Sequence, residues 1–163
     1  AKRWGLPTSI PPSVLSLVSA ATIWGVLYWV FDRFAWRWRL LARLLGVPNL
    51  AGDWLCEGVT LSAEGAPWQG RVAITQTWDR IRVRLKTEQS GSNSISAALL
   101  RDPIDGYILL YHYQNDPHVD QPQLRSHHGF AELTFSKDLR RAEGEYFNGH
   151  GRYTWGTMKL TRS

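Results

Sequence analysis

The side chains of this sequence best suited to chemistry are one arginine and three tyrosines. Arg152 opens a run of alternating residues, and Tyr111, Tyr113 and Tyr146 fall on shared faces of two others. A guanidinium turned into a folded interior needs an anion to pair with. An inward Arg152 therefore implies recognition of phosphate or carboxylate, and the competing placement is an exposed loop edge. The phenols either stack on a planar ligand or fill a core, and residue type alone admits both. Catalysis is not indicated. The five histidines, at 112, 118, 127, 128 and 150, lack metal-ligand spacing, and the adjacent His127 and His128 point to opposite faces of a strand. No nucleophile elbow, Walker loop or GxGxxG occurs, so neither an enzyme nor a metal or cofactor protein is expected.

Something must hold those side chains, and from Leu50 onward the pattern is β. Eight short alternating runs are predicted, at 52–61, 68–78, 81–88, 94–100, 106–115, 127–135, 141–147 and 152–161. The breaks between them carry Gly, Pro, Asn, Asp and Ser, among them Ser90-Gly91-Ser92-Asn93 and the long 116–126 connection. So short a chain cannot cover eight hairpin-linked strands as an open sheet, whereas closure removes both edges. The expected fold is an all-β, eight-stranded up-and-down antiparallel barrel of the lipocalin-like kind, with a β-sandwich as the competitor. Arg82, Arg84 and Lys86 alternate with Ile81, Val83 and Leu85, so one face of the third strand meets water, which excludes an outer-membrane barrel.

Parity then proposes the inward residues. Trp54 plugs the floor; Ile74, Gln76 and Trp78 share a face, as do Leu109, Tyr111, Tyr113 and Asn115, and then Gly144 and Tyr146. In the last run Arg152, Thr154, Gly156, Met158 and Leu160 line up. These faces grade from apolar to polar, as a pocket with an apolar base and a polar mouth requires.

Ahead of the barrel, residues 10–31 hold no charge and end in an aromatic cluster, Trp24, Tyr28 and Trp29. At about 1.5 Å per helical residue the stretch spans a hydrocarbon core of roughly 30 Å. Residues 32–45, arginines among Trp and Leu, read as an amphipathic juxtamembrane helix that Gly46 and Pro48 end. The expected division is an anchor at 1–46 and a barrel at 47–163. Arg33, Arg37, Arg39 and Arg43 outweigh Lys2 and Arg3, which places the barrel in the cytoplasm. The net charge of +5 is thus mainly a membrane-flank signal and argues against a DNA or RNA polymer as partner. The single cysteine, Cys56, excludes a disulfide framework and is expected to pack as a small apolar residue.

Pro48-Asn49-Leu50-Ala51-Gly52-Asp53-Trp54, Ile74-Thr75-Gln76-Thr77-Trp78, the Ser92–Ser96 run, Tyr111-His112-Tyr113-Gln114-Asn115, His128-Gly129, Gly144-Glu145-Tyr146-Phe147 and Arg152 before Gly156 resemble the membrane-anchored β-barrel effectors of CBASS antiphage systems. The order of these segments carries the resemblance, which covers nearly the whole chain. It implies a protein of the bacterial inner membrane whose barrel binds a cyclic di- or oligonucleotide made by a partner synthase. Binding would promote self-association of the membrane helices, disrupt the bilayer and kill the infected cell. Family members generally carry two amino-terminal spanning helices, and this sequence shows one. The ligand residues so implied are Arg152, Tyr111, Tyr113, Asn115, Tyr146 and His128, joined by Gln76 and Ser94, for which satisfying buried backbone is the competing role. The cyclic nucleotide would be an activating ligand, and no cofactor is implied. Two other readings stay open, a membrane-tethered carrier of an apolar ligand and a filled adaptor barrel that binds another protein.

Overall fold

The computed structural model describes residues 12–62, 65–104, 106–121, 125–149 and 152–163. The chain divides into two compact units, Ala1–Leu45 and Gly46–Ser163.

In the second unit an alternating pattern is satisfied because the sheet curls until one face lies inside everywhere. β1 (Gly52–Thr60), β2 (Ala66–Gln76), β3 (Ile81–Thr87), β4 (Ser90–Asp102), β5 (Gly106–Pro117), β6 (His127–Phe135), β7 (Arg141–Asn148) and β8 (Trp155–Arg162) follow one another as antiparallel neighbours in a closed barrel. Closure comes from β1 pairing with β8, with Trp54 opposite Arg162 and Thr60 opposite Gly156. The expected eight-stranded up-and-down barrel is what forms. Inward parity holds too: Ile74, Leu109, Tyr111, Tyr146, Met158 and Leu160 are buried, while Arg82, Arg84 and Lys86 are exposed.

Local details differ from expectation. Ser90-Gly91-Ser92-Asn93 is not a turn but the start of β4, with Ser92 paired to Asn115. Thr87 supplies the reason. Its hydroxyl accepts from the backbone N–H of Ser90 at 3.1 Å and Gln89 at 3.3 Å, closing the hairpin over two residues and freeing Ser90 to pair. Ala66 and Pro67, read as turn, open β2. Trp78 lies beyond the end of β2 and is exposed, and Arg152 and Thr154 precede β8 rather than belonging to it.

One end of the barrel is sealed. The Trp54 indole stands edge-on to Phe135, ring centres 5.4 Å apart, and donates to the Leu50 carbonyl at 3.2 Å. Gln76 donates from Nε2 to the Pro48 carbonyl at 3.0 Å and accepts from the Leu50 N–H at 2.8 Å. The entry segment is thereby pinned across the opening. Cys56 is buried in β1, as expected, and burial pushes its thiol up to about 12, which leaves it unreactive as a nucleophile.

The first unit comprises α1 (Pro12–Arg33), a 3-10 turn (Ala35–Arg37) and α2 (Arg39–Leu45). The single juxtamembrane helix expected over 32–45 is thus split, and Gly46, at φ 64°, ends α2 in the left-handed conformation. Leu17, Ile23, Trp24 and Leu27 of α1 are all exposed. Among the described residues no helix is long and apolar enough to cross a membrane. Ile10 and Pro11 of the charge-free stretch, Lys2, Arg3 and the turn residues at 63–64, 105, 122–124 and 150–151 lie outside those residues.

Candidate functional site

Opposite the sealed floor the barrel holds a cavity of about 630 Å³, within the range of small-molecule sites. Met158 and Tyr111 form its base, Tyr113, Tyr146 and Trp68 its aromatic wall, and exposed residues such as Arg152 and Gln89 its rim. Two inward glycines make room for the wall. A side chain at Gly129, across from Tyr113 in the β5–β6 register, would run into the Tyr113 ring, and one at Gly58 would meet the Trp68 indole.

The aromatic groups are held by one another. Trp68 donates from Nε1 to the Tyr146 hydroxyl at 3.1 Å, which lies 2.7 Å from Thr60 Oγ1. Tyr113 donates to Asn148 Oδ1 at 2.8 Å, and Asn148 Nδ2 donates to Thr154 Oγ1 at 2.8 Å. Burial first, and then the neighbouring Tyr146, hold the Tyr113 phenol well above its ordinary range, while the charge of Arg152 pulls it back. Burial raises Tyr111 as well. Both are therefore neutral, hydrogen-bonding rings at any physiological pH.

The facing wall is polar. Asn115 donates from Nδ2 to Ser90 Oγ at 3.1 Å, and its Oδ1 is buried without a partner among the described residues. Buried acceptors are rarely left so, and an N–H or O–H on a bound molecule would satisfy this one. His127 sits opposite Asn115 in the strand register. Its Nδ1 is 3.0 Å from the Arg125 carbonyl, which can only accept, so Nδ1 carries the proton. Burial lowers the His127 pKa and Arg152 lowers it further, against an opposing contribution from the Arg125 carbonyl. The imidazole is neutral near pH 7.

Of the residues singled out in the sequence, Tyr111, Tyr113, Asn115, Tyr146 and Arg152 come together around this cavity. Arg152 does so from the exposed segment before β8, between the two placements considered for it. Gln76, Ser94 and His128 do not line it. Gln76 holds the floor, and Ser94 Oγ accepts from the Val83 N–H at 2.9 Å beside the β4 irregularity. Both take the competing role of satisfying backbone. His128 lies on the outer wall, stacked on His112 at 5.3 Å, because neighbouring strand residues face opposite ways. The inward histidine is His127. Ala131, Leu133 and Phe135 share its parity and mark the core face of β6, a signal present in the sequence. Trp68, Thr87, Ser90 and Asn148 also line the cavity without having been singled out.

No group of His, Cys, Asp and Glu among the described residues is arranged to hold a metal ion. The arrangement offers recognition: flat neutral rings, one cation at the rim, a neutral imidazole and an unused acceptor.

Comparison with known proteins gives two family matches. Residues 45–162 match the family described as "Cap15, cyclic dinucleotide receptor domain" and residues 1–37 the one described as "Cap15, TM helices". The chain is also similar to CD-NTase-associated protein 15 of Yersinia aleksiciae, at 47% identity over 161 residues, covering 99% of this chain and 77% of that protein.

Proposed function

This chain belongs to the Cap15 family of CBASS-associated barrel proteins with transmembrane helices, and from that premise we propose that its barrel cavity is the receptor site for a cyclic dinucleotide. The observation that carries the reading is the meeting of Arg152, three phenols and the unpartnered Asn115 acceptor around one cavity. A cyclic dinucleotide presents two phosphates and two bases. Its phosphates call for a cation, which Arg152 supplies and which His127 becomes once an anion beside it raises its pKa. Its bases call for rings to stack on, Tyr113 and Tyr146, and for an acceptor to read an N–H edge, Asn115. A carrier of apolar ligands would leave these polar groups unmet, and a filled adaptor barrel would have no such cavity.

The nucleotide acts as an activating ligand supplied by a partner synthase, and the chain itself performs no catalysis. The amino-terminal segment, 1–46, is the anchor. Apolar side chains exposed on every side of α1 support membrane insertion, because a helix apolar all round needs an apolar surrounding. Arg33, Arg37, Arg39 and Arg43 orient it with the barrel, 47–163, in the cytoplasm of a bacterial inner membrane. Ligand binding then favours association of the membrane helices, damage to the bilayer and death of the infected cell.

Calorimetric titration of the full chain in detergent with cyclic di- and trinucleotides tests the site. We expect saturable binding of at least one cyclic dinucleotide. Heat of binding from none of them would sink the proposal. A reporter active only in the periplasm, fused after Ser163, tests the orientation and should stay silent.

A further inference from the structure

The outer surface of the barrel carries two like-charged walls. On β2 and β3, Arg71 stands directly opposite Lys86, with Arg84 and Arg82 following along the same face. On β6 and β7, Glu132 stands directly opposite Glu145, with Glu143 one step along. All seven are exposed. Like charges facing each other across a ladder destabilise it. Among the described residues, Glu143 meets Lys159 at 4.0 Å, while Arg71, Arg82, Arg84, Lys86, Glu132 and Glu145 have no ion-pair partner within the chain.

In a ring of eight strands running in sequence order, the β2–β3 pair and the β6–β7 pair are four strands apart. They occupy opposite sides of the barrel. Beside the acidic wall, Phe130 and Phe147 stack at 5.7 Å, and Phe147 pairs across the ladder with Trp155. Phe147 and Trp155 remain more than half exposed. Carboxylates next to flat aromatic faces form a surface that receives guanidinium groups, by ion pairing on one side and stacking on the other.

We propose that the basic β2–β3 wall of one copy docks on the acidic and aromatic β6–β7 wall of the next. The occupant of each wall is thus a second copy of this chain, and charge complementarity is the reason. Each docking relieves two sets of like-charge repulsion at once. Because the two walls differ and face away from each other, the contact is head-to-tail and does not close on itself as a twofold dimer would. It builds a row of barrels. This contact is separate from any association of the membrane helices and does not depend on the cavity being filled.

The test uses the full chain in an uncharged detergent, followed by sedimentation velocity at low and high salt, with no cyclic nucleotide present. Failure of the receptor reading would therefore leave its result untouched. The parent chain should show a series of species at low salt that collapses at high salt, since exposed charges lose each other within about 10 Å at 0.1 M. The variant Arg71→Glu with Lys86→Glu, and separately Glu132→Lys with Glu145→Lys, should each weaken association roughly tenfold or more, because like charges then meet across the contact. An equal mixture of the two variants should associate again, and so should the chain carrying all four changes. Thermal melts confirm that each variant is folded. A parent that sediments as one species at low salt overturns the proposal, as do reversals without effect or reversals that mixing does not rescue. If association instead requires phosphatidylglycerol in the micelles, and the basic-wall variant abolishes it while the acidic-wall variant does not, the wall serves an anionic lipid headgroup and the proposal is wrong.

Discussion

Two inward amides, Gln76 and Asn115, sit near opposite ends of one barrel and are buried to a similar degree, 4% and 9% exposed. Gln76 spends both ends of its amide on the backbone of the entry segment; Asn115 spends only its nitrogen, on Ser90. The same contrast extends to the aromatics. Trp54 packs edge-on against Phe135 and closes its end, while Trp68, Tyr113 and Tyr146 stand around a void. A polar group whose bonds are complete belongs to the fold. One left half-used at the edge of a cavity is available to something else. The barrel therefore separates stability and recognition along its axis, and that separation can be attacked from either end.

The largest effect should come from the floor. Trp54→Ala leaves a void beside Phe135 and should cost about 3–5 kcal/mol of stability, read as a fall in melting temperature. Gln76→Leu should cost about 1–3 kcal/mol for each backbone group left buried and unmet, with cyclic dinucleotide affinity unchanged while the chain stays folded. The mouth should behave in reverse. Arg152→Ala should leave the melt in place and weaken cyclic dinucleotide binding by about ten- to a hundredfold, the worth of one charge-assisted contact of about 1.5–3 kcal/mol. Asn115→Leu removes an unpartnered acceptor and the bond to Ser90, whose hydroxyl keeps Thr87 Oγ1 at 3.3 Å, so stability should fall by only about 1 kcal/mol while affinity falls. A Gln76 variant that loses affinity without melting, or an Arg152 variant that melts early, would break the contrast.

The smallest effect is a slope with pH. The His127 pKa is lowered from its ordinary 6.5, mainly by burial. The unfolded chain therefore takes up a proton before the folded one does. Stability contributed by His127 is complete above pH 6.5 and declines as pH falls below it toward the lowered value. His127→Asn should flatten that decline in melts between pH 5 and pH 7. If a phosphate lies beside His127, ligand binding should do the opposite and tighten as pH falls.

These two ends differ in how far they can be read from sequence. Period-two alternation fixes which face of each strand goes inside, so the barrel, the Trp54 plug and the inward Tyr111, Tyr113 and Tyr146 are all legible. Alternation says less about where a strand begins. The Ser90–Asn93 run has the composition of a turn, and only the Thr87 hydroxyl closing the hairpin behind it and the long partner β5 make it a strand. Parity could have reached His127, through Ala131, Leu133 and Phe135, yet the sequence segment that carries the family resemblance draws the eye to His128. Gln76 and Ser94 show a different limit. A buried amide or hydroxyl looks the same in sequence whether its partner is a ligand or a backbone group many residues away, as Pro48 and Leu50 are from Gln76.

The barrel also has a seam. Every other pairing joins neighbours in the chain, while β1 meets β8 only after the whole domain has been threaded between them. Closing that pair carries the greatest loss of chain freedom and adds most to the contact order, so it forms late and is the first place to part. The Thr60–Tyr146 hydrogen bond reaches across it, over Gly156, where a methyl group would strike the Val59 carbonyl. Thr60, Tyr146 and Thr154 all border the cavity. A molecule lodged there acts as a clasp on the seam, and its signature is kinetic: it slows unfolding far more than it hastens folding, because the clasped contacts do not yet exist when the chain crosses its barrier.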